Sequence, residues 1–129
     1  MRPESRNKQF GFKRFLRSFT NSLSGLKYAY LNEQSMFIHL IATILTIILG
    51  IVLKISRTEA IVLASLLCFV VVIELINTSI EACCDAVTLN RNELIKIAKD
   101  TASGAVFLGS IVTLVISLII FVPKILELI

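Results

Sequence analysis

Three long apolar runs dominate the pattern of hydrophobic and polar positions along this chain of 129 residues. A helix that crosses a bilayer needs about 20 apolar residues, and each of the three runs is long enough. The pattern therefore predicts membrane helices over residues 34–54, 59–88 and 100–122. Because the apolar positions are continuous rather than alternating, they do not indicate an outer-membrane barrel.

The segment ahead of these runs, residues 12–30, has a different periodicity. Its apolar side chains fall within about 100° of one another on a helix. They are Phe12, Phe15, Leu16, Phe19, Leu23, Leu26 and Tyr30. Basic and small polar residues occupy the other side, which is typical of a helix lying in the membrane interface. A soluble helix packed on a partner is the alternative interpretation.

The composition supports a membrane protein and excludes a small soluble enzyme. Hydrophobic residues make up 56% of the chain and charged residues 17%, with a mean hydropathy of +0.86. A soluble domain of this size could not bury so much apolar surface. We expect a single all-α membrane domain over 1–129, with an N-terminal interfacial amphipathic helix and three transmembrane helices.

Basic residues are distributed unevenly along the chain, whose formal net charge is +4. Seven precede the first run: Arg2, Arg6, Lys8, Lys13, Arg14, Arg17 and Lys27. Two lie between the first and second runs, three between the second and third, and one after the third. The positive-inside rule therefore predicts a cytoplasmic N-terminus and a cytoplasmic second loop. Nucleic-acid binding is the alternative, but anionic lipid headgroups better explain a basic segment beside three spans.

A stripe of polar residues interrupts the second run. This polar stripe consists of Glu74, Asn77, Glu81 and Asp85. At 100° per residue the four lie within about 80° of one another on one helix face. Ionisable groups in a membrane are costly, so they are functional hypotheses by default. Counted from the outer end of this helix at about 1.5 Å per residue, Glu74 is predicted at mid-membrane depth and the other three nearer the cytoplasm.

Further polar groups are predicted at the cytoplasmic side of the spans: Glu33, Lys99, Asp100 and Ser103. Several carboxylates gathered with an amide, an ammonium and a hydroxyl suit a divalent cation together with a polyanion. Mg²⁺ is usually held by one or two carboxylates plus substrate phosphates. A polar network that only joins the helices is the structural alternative. The sequence contains no P-loop and no glycine-rich dinucleotide loop.

The run from Glu74 to Asp85 resembles the signature of the bacterial diacylglycerol kinase and undecaprenol kinase family. That signature has the four stripe residues at the same spacing, and after the asparagine it has serine or threonine and then serine or alanine. Residues 98–106 resemble the start of the family's third membrane helix, and residues 25–33 resemble its first cytoplasmic stretch. The resemblance covers residues 11–129, nearly the whole chain.

This resemblance implies a homotrimeric lipid kinase of the bacterial plasma membrane that transfers the γ-phosphoryl group of MgATP to a lipid hydroxyl. It implies that Glu74 is the general base and contacts the lipid, and that Asn77 organises the stripe. Glu33 and Glu81 would hold the metal ion that bridges the ATP phosphates. The residues implied to contact ATP are Glu33, Glu81, Asn90, Arg91, Asn92, Lys99 and Asp100, and those implied along the lipid path are Arg14, Glu74 and Ser103.

The acceptor lipid is predicted from two further resemblances. His39 and residues 121–125 resemble the Gram-positive branch of the family, whose members commonly phosphorylate undecaprenol. Diacylglycerol is the alternative within the family. A small proton-coupled transporter is the alternative from another class, because an intramembrane glutamate also marks transporters. Three spans and acids concentrated in the cytoplasmic half argue against it. A non-catalytic membrane subunit is the remaining alternative.

Assembly is predicted from the need to shelter Glu74, because three helices of one chain enclose little volume. Small residues four apart allow helices to approach closely. Such pairs are Ala60 with Ala64 and Ala105 with Gly109. We therefore expect sites built from adjacent protomers, and the resemblance supplies the number three.

Overall fold

The computed structural model describes residues 11–129, which form four α-helices and no strand. The helices are α1 (Phe12–Asn32), α2 (Gln34–Val52), α3 (Arg57–Val87) and α4 (Glu93–Leu126). Of these, α2, α3 and α4 are long and apolar enough to cross a membrane, which confirms the three predicted spans. Of the basic residues counted in the sequence, Arg2, Arg6 and Lys8 lie outside the described residues.

The N-terminal amphipathic helix is present as α1, which continues two residues past its predicted end. A single extended residue, Glu33, separates it from α2. The large apolar side chains of α1 are exposed, including Phe12 and Phe15, while Ala29 near its end is buried. The helix itself is therefore confirmed, and its location in the membrane interface stays a prediction.

A tight turn joins α2 to α3. Helix α2 ends two residues before the predicted boundary because Lys54 adopts a left-handed backbone conformation with φ of 49°. Gly50 permits a close approach here, since a Cβ atom at this position would lie 2.9 Å from Ile55 Cδ1. Ser56 and Glu59 then form a capping box that begins α3, with each side chain bonded to the other residue's backbone N–H. A capping box satisfies two N–H groups that a helix start leaves unpaired.

Helix α4 begins well before the membrane segment predicted at residue 100. The Oδ1 atom of Asn92 accepts hydrogen bonds from the backbone N–H groups of Leu94 and Ile95, at 3.0 and 3.2 Å. Asparagine is among the preferred residues at the position before a helix. The cap starts the helix at Glu93, so its first turns carry the polar residues of the α3–α4 connection.

The most extensive helix contact in the chain is between α3 and α4, and α2 packs on α3 over a smaller area. A Cβ atom at Gly109 would lie 3.4 Å from Ile73 Cδ1 and 3.6 Å from Val70 Cγ2. Gly109, predicted to serve contacts between chains, therefore lies against α3 of its own chain instead. Its small size favours close packing of α4 on α3.

Most of the apolar surface of the three long helices is open in the single chain. Within the apolar part of each helix, 11% of the residues of α2, 17% of α3 and 11% of α4 are buried. Large exposed side chains such as Phe37, Ile48 and Phe107 lie on these surfaces. Monomeric soluble proteins do not expose apolar patches of this extent. The surfaces are suited to lipid or to other chains.

Candidate active site

The polar stripe of α3 changes from buried to exposed along its length. Glu74 is 3% exposed and Asn77 is 8% exposed, whereas Glu81 is half-buried and Asp85 is exposed. The stripe therefore leads from an enclosed carboxylate to the end of α3 that meets the α3–α4 connection. A charged ligand can approach the outer part of this stripe directly, but it reaches Glu74 only from one direction.

The first turn of α2 holds the buried end of the stripe, because Ser35 Oγ donates a hydrogen bond to Glu74 Oε1. Glu74 is consequently level with the beginning of α2 rather than with its middle. This contact corrects the mid-membrane depth predicted for Glu74, which was counted along α3 alone. Helix α3 has 31 residues and α2 has 19, so α3 extends far beyond the start of α2.

Ser35 is a site residue that sequence reasoning missed. A serine in the first turn of an apolar helix is common because serine is favoured near helix starts, so its presence carries no functional signal alone. The signal that could have found it is the position of Glu33. A break between helices at that residue puts Ser35 at the same level as the other cytoplasmic polar groups.

Within the stripe, Asn77 Nδ2 donates to Glu81 Oε1 over 3.3 Å. The Oδ1 atom of Asn77 and the Oγ1 atom of Thr78 are buried, and neither has a hydrogen-bond partner among residues 11–129. A buried polar atom without a partner is costly. Asn77 therefore contacts one carboxylate of the stripe through its amide nitrogen, while its amide oxygen is buried and without a partner.

The outer end of the stripe forms an ion pair between helices. Lys99 Nζ lies 2.8 Å from Asp85 Oδ1, which ties the first part of α4 to the end of α3. Both side chains remain partly accessible, with 35% of Lys99 and 51% of Asp85 exposed. An ammonium group has three N–H donors. Lys99 can therefore keep this contact and still donate to a phosphate.

Most of the other predicted site residues are exposed: Arg14, Asn90, Arg91, Asn92, Asp100 and Ser103. Two of them already have partners in the chain. Asn92 caps α4, and Arg91 Nε lies 3.9 Å from Glu93 Oε1. Glu33 is half-buried at the junction of α1 and α2.

The chain brings two pairs of the predicted residues into contact. Asn77 contacts Glu81, and Lys99 contacts Asp85. Residues 11–129 contain no group of three or more His, Cys, Asp or Glu side chains arranged to hold a metal ion. A metal bound by Glu33 and Glu81 would thus need additional oxygen ligands, such as substrate phosphates.

An apolar cavity of about 750 Å³ lies beside this site. It runs between α2 and α3, from Leu75, the residue after Glu74, to Ile55 and Ala60 at the α2–α3 turn. Leu26 and Tyr30 of α1 contribute to its wall. The sequence did not predict this cavity, because its lining residues come from three helices and none of them is distinctive alone.

A buried carboxylate that lies next to an apolar cavity, with carboxylates and an ammonium farther along the same face, defines the class of the protein. It is an all-helical protein with three helices apolar enough to cross a membrane and with one continuous polar face among them.

Comparisons with known proteins identify the family. A family model of prokaryotic diacylglycerol kinase matches residues 20–121. The chain is 31% identical over 121 residues to the undecaprenol kinase of Bacillus subtilis, covering 94% of this chain and 98% of the relative. It is 32% identical over 109 residues to the diacylglycerol kinase of Pseudomonas aeruginosa and 29% identical over 109 residues to that of Escherichia coli K12. Each match covers 84% of this chain and 89% of the relative.

The chain belongs to the prokaryotic diacylglycerol kinase family. It is a lipid kinase, a phosphotransferase whose acceptor is an alcohol group. This confirms the resemblance carried by the polar stripe. It also decides for an enzyme and against the transporter and the non-catalytic subunit.

Proposed function

We propose that this lipid kinase transfers the γ-phosphoryl group of ATP to the hydroxyl group of undecaprenol. The main support is the position of Glu74, a buried carboxylate of α3 that is bonded to the start of α2 and directly precedes Leu75 in the wall of an apolar cavity. A lipid hydroxyl can reach this carboxylate from the membrane side, while a nucleotide approaches along the stripe from Asp85. The Bacillus subtilis relative, matched over 98% of its length, is named for undecaprenol. The two relatives named for diacylglycerol make that lipid the second candidate.

In the proposed reaction Glu74 takes the proton of the lipid hydroxyl. The lipid oxygen forms a bond to the γ-phosphorus as the bond from that phosphorus to the β–γ bridging oxygen breaks, and ADP leaves. Phosphoryl transfer depends mainly on positioning and on electrostatic stabilisation. Asn77 contributes by holding Glu81 in line with the stripe.

Glu33 and Glu81 are the residues that would hold Mg²⁺. The donors available near the stripe are oxygen atoms, which Mg²⁺ prefers. Asn77 Oδ1, buried without a partner, is a neutral oxygen of the same kind. The donor set therefore fits the ion, which when bound neutralises charge on the ATP phosphates.

The remaining ATP contacts are proposed on the exposed surface around the α3–α4 connection. Lys99 would neutralise a phosphate while keeping Asp85 as a partner. Asp100 and the loop residues Asn90, Arg91 and Asn92 would contact the rest of the nucleotide. The Asn92 side chain also caps α4, so its contribution to ATP is proposed beside that structural role.

The lipid path is proposed to include two exposed polar residues outside the stripe. Arg14 lies on α1 and Ser103 on α4, and both face outward from the single chain. Basic side chains beside a span attract anionic groups at the membrane surface. Arg14 and Ser103 would thus orient the polar end of the lipid while its chain occupies apolar surface.

The proposed location is the bacterial plasma membrane, with the site on the cytoplasmic side. The α1–α2 junction lies at the same end of the molecule as the Ser35–Glu74 contact. The basic residues Arg91, Lys96 and Lys99 belong to the α3–α4 connection and the first turns of α4, and the positive-inside rule favours the cytoplasm for such a segment. At the opposite end, Lys124 pairs with Glu59 over 3.3 Å, which offsets one of the few basic charges there.

The proposed assembly is a homotrimer whose sites combine residues of adjacent chains. Its support is the large open apolar surface of α2, α3 and α4. The single chain already buries Glu74, so the shelter expected from neighbouring chains is not what calls for the assembly. Asp100 and Ser103 are exposed, and a neighbouring chain would bring partners to them.

A reconstitution assay tests the lipid assignment. Purified protein in vesicles is given radiolabelled ATP and either undecaprenol or diacylglycerol, and the labelled lipids are separated. We expect undecaprenyl phosphate as the main product. Preferential labelling of diacylglycerol would contradict the acceptor, and labelling of neither lipid would contradict the proposed reaction.

The substitution Glu74→Gln tests the proposed base. It keeps the size of the side chain and removes the proton acceptor, so turnover should fall by about 10²-fold or more. ATP binding should change little, because the carboxylate is proposed to act on the lipid. Glu127→Gln is the matched control, since Glu127 is an exposed residue that follows α4. Near-normal turnover of Glu74→Gln would remove Glu74 from the reaction.

A further inference from the structure

The hydrogen bond between Ser35 and Glu74 is the one side-chain hydrogen bond that joins α2 to α3 within residues 11–129. Ser35 is half-buried and Glu74 is 3% exposed. A hydroxyl is a donor as well as an acceptor, whereas an ionised carboxylate only accepts. The direction of the bond is therefore settled when Glu74 is ionised: Ser35 donates.

This bond compensates for the burial of a charge. A carboxylate removed from water is costly unless it is hydrogen-bonded, and bonds to an ionised acceptor are stronger than neutral ones. Ser35 is the second residue of α2. The first backbone N–H groups of a helix have no partner within it, and the helix dipole there favours a negative charge. The first turn of α2 thus offsets part of the cost of burying this carboxylate.

The bond also fixes the orientation of the carboxylate. Oε1 accepts from Ser35, and the rest of the carboxylate, including Oε2, remains for an incoming hydroxyl. Fixing the reacting atom in one orientation lowers the barrier by reducing the freedom that must be lost in the transition state.

Ser35 also lies two residues after Glu33, directly beyond the break between α1 and α2. The same hydrogen bond therefore ties the carboxylate of α3 to the segment that carries Glu33. The Ser35 hydroxyl thus links Glu74 of α3 to the chain segment that begins at Glu33.

We propose that Ser35 is a positioning residue for Glu74, one that holds the carboxylate in the orientation in which it meets the lipid hydroxyl. The inference rests on the proposed role of Glu74 as the base. Ser35 itself contacts neither substrate in this scheme and acts through Glu74.

The test compares two isosteric substitutions, Ser35→Thr and Ser35→Val. Threonine keeps the hydroxyl, whereas valine has nearly the same shape without it. The difference in kcat between the two variants therefore measures the effect of the hydrogen bond. We expect Ser35→Val to lower kcat by about 10-fold or more relative to Ser35→Thr, the effect of one lost bond to a charged group. KM for ATP should be the same in both. Ser79→Ala is the matched control, because the Ser79 hydroxyl donates only to the Leu75 backbone carbonyl and the family signature accepts alanine there.

The same pair of substitutions is then made in the Glu74→Gln background. A positioning residue has nothing left to orient there, so valine and threonine should give equal residual turnover. Equal kcat of the two variants in the Glu74 background would overturn the proposal. If Ser35→Val lowered kcat equally in the Glu74 and Glu74→Gln backgrounds, the proposal would also be overturned. Such a result would indicate that Ser35 has a structural role. Normal turnover of the Glu74→Gln variant would instead overturn the assignment of Glu74 as the base. That result differs from both outcomes that would overturn the role of Ser35.

Discussion

Glu74 and Lys99 illustrate how differently the chain treats its charged residues at the two ends of the polar stripe. Glu74 is buried and bonded to a neutral hydroxyl, whereas Lys99 is partly accessible and paired with a carboxylate. In the proposed reaction the buried carboxylate accepts a proton and the accessible ammonium donates to a phosphate. Acid–base chemistry is thus proposed on α3, and part of the charge neutralisation on α4.

The proposed division of roles predicts two kinds of defect. Glu33→Gln and Glu81→Gln should each raise the Mg²⁺ concentration needed for half-maximal turnover by about 10-fold or more, because each removes an anionic oxygen ligand. Lys99→Ala should raise KM for ATP without changing the Mg²⁺ dependence, because an ammonium binds phosphate and no metal. Turnover is titrated with Mg²⁺ at saturating lipid. Identical Mg²⁺ profiles in all three variants would contradict the assignment.

The unequal lengths of the helices decide where the chemistry takes place. Helix α3 extends beyond the start of α2, so its last turns and the first turns of α4 project past the α1–α2 junction. The polar stripe occupies this projecting part. Because Glu74 is level with the beginning of α2, the proposed reaction would require the lipid hydroxyl to reach only the end of the apolar part of α2.

The start of α4 should depend on its cap. Asn92→Ala removes the acceptor of two backbone N–H groups and should lower stability by about 1 kcal/mol, the usual effect of losing an N-cap. Asn92→Asp keeps an acceptor and should unfold at nearly the temperature of the unmodified protein. Thermal unfolding in detergent micelles without ATP measures both. Equal midpoints for alanine and aspartate would show that the cap does not stabilise this helix.

At the scale of the whole molecule, the open apolar surfaces and the separated polar residues point to the same requirement. One chain buries Glu74 but leaves Asp100 and Ser103 exposed on α4. Gly109, meanwhile, is used for packing α4 on α3 within the chain. In the proposed assembly, contacts between chains would use other surfaces. Ala60 and Ala64, the other predicted pair, line the cavity between α2 and α3.

Shared sites predict complementation between inactive chains. Glu74→Ala and Asp100→Ala are each expected to be inactive alone and to regain part of the activity when mixed, unfolded and reassembled together. A mixed interface would collect one intact copy of each residue. Reassembly of each variant with itself is the control and should give no activity.

Two results would contradict this arrangement in different ways. Crosslinking in native bilayers that yields monomer alone would contradict the assembly. A trimer without complementation would leave the assembly standing and would confine both residues to a site within one chain.

The sequence alone determined those features that depend on short-range periodicity. The three spans and α1 follow from apolar spacing, and the shared face of Glu74, Asn77 and Glu81 follows from the pitch of a helix. The family follows from the same spacing, because its signature lies within α3. These predictions hold because burial of an apolar stripe and helical geometry are local properties.

Only the tertiary structure decided how the helices are offset along one another. The hydrogen bond from Ser35 to Glu74 joins residues 39 positions apart, and the Lys99–Asp85 pair crosses a loop. Neither contact has a periodic signal, since each depends on where one helix ends relative to its neighbour. That offset is set by the turn at Lys54, by the helix caps and by close packing at Gly109, so it moved Glu74 from the predicted middle of the membrane to the start of α2.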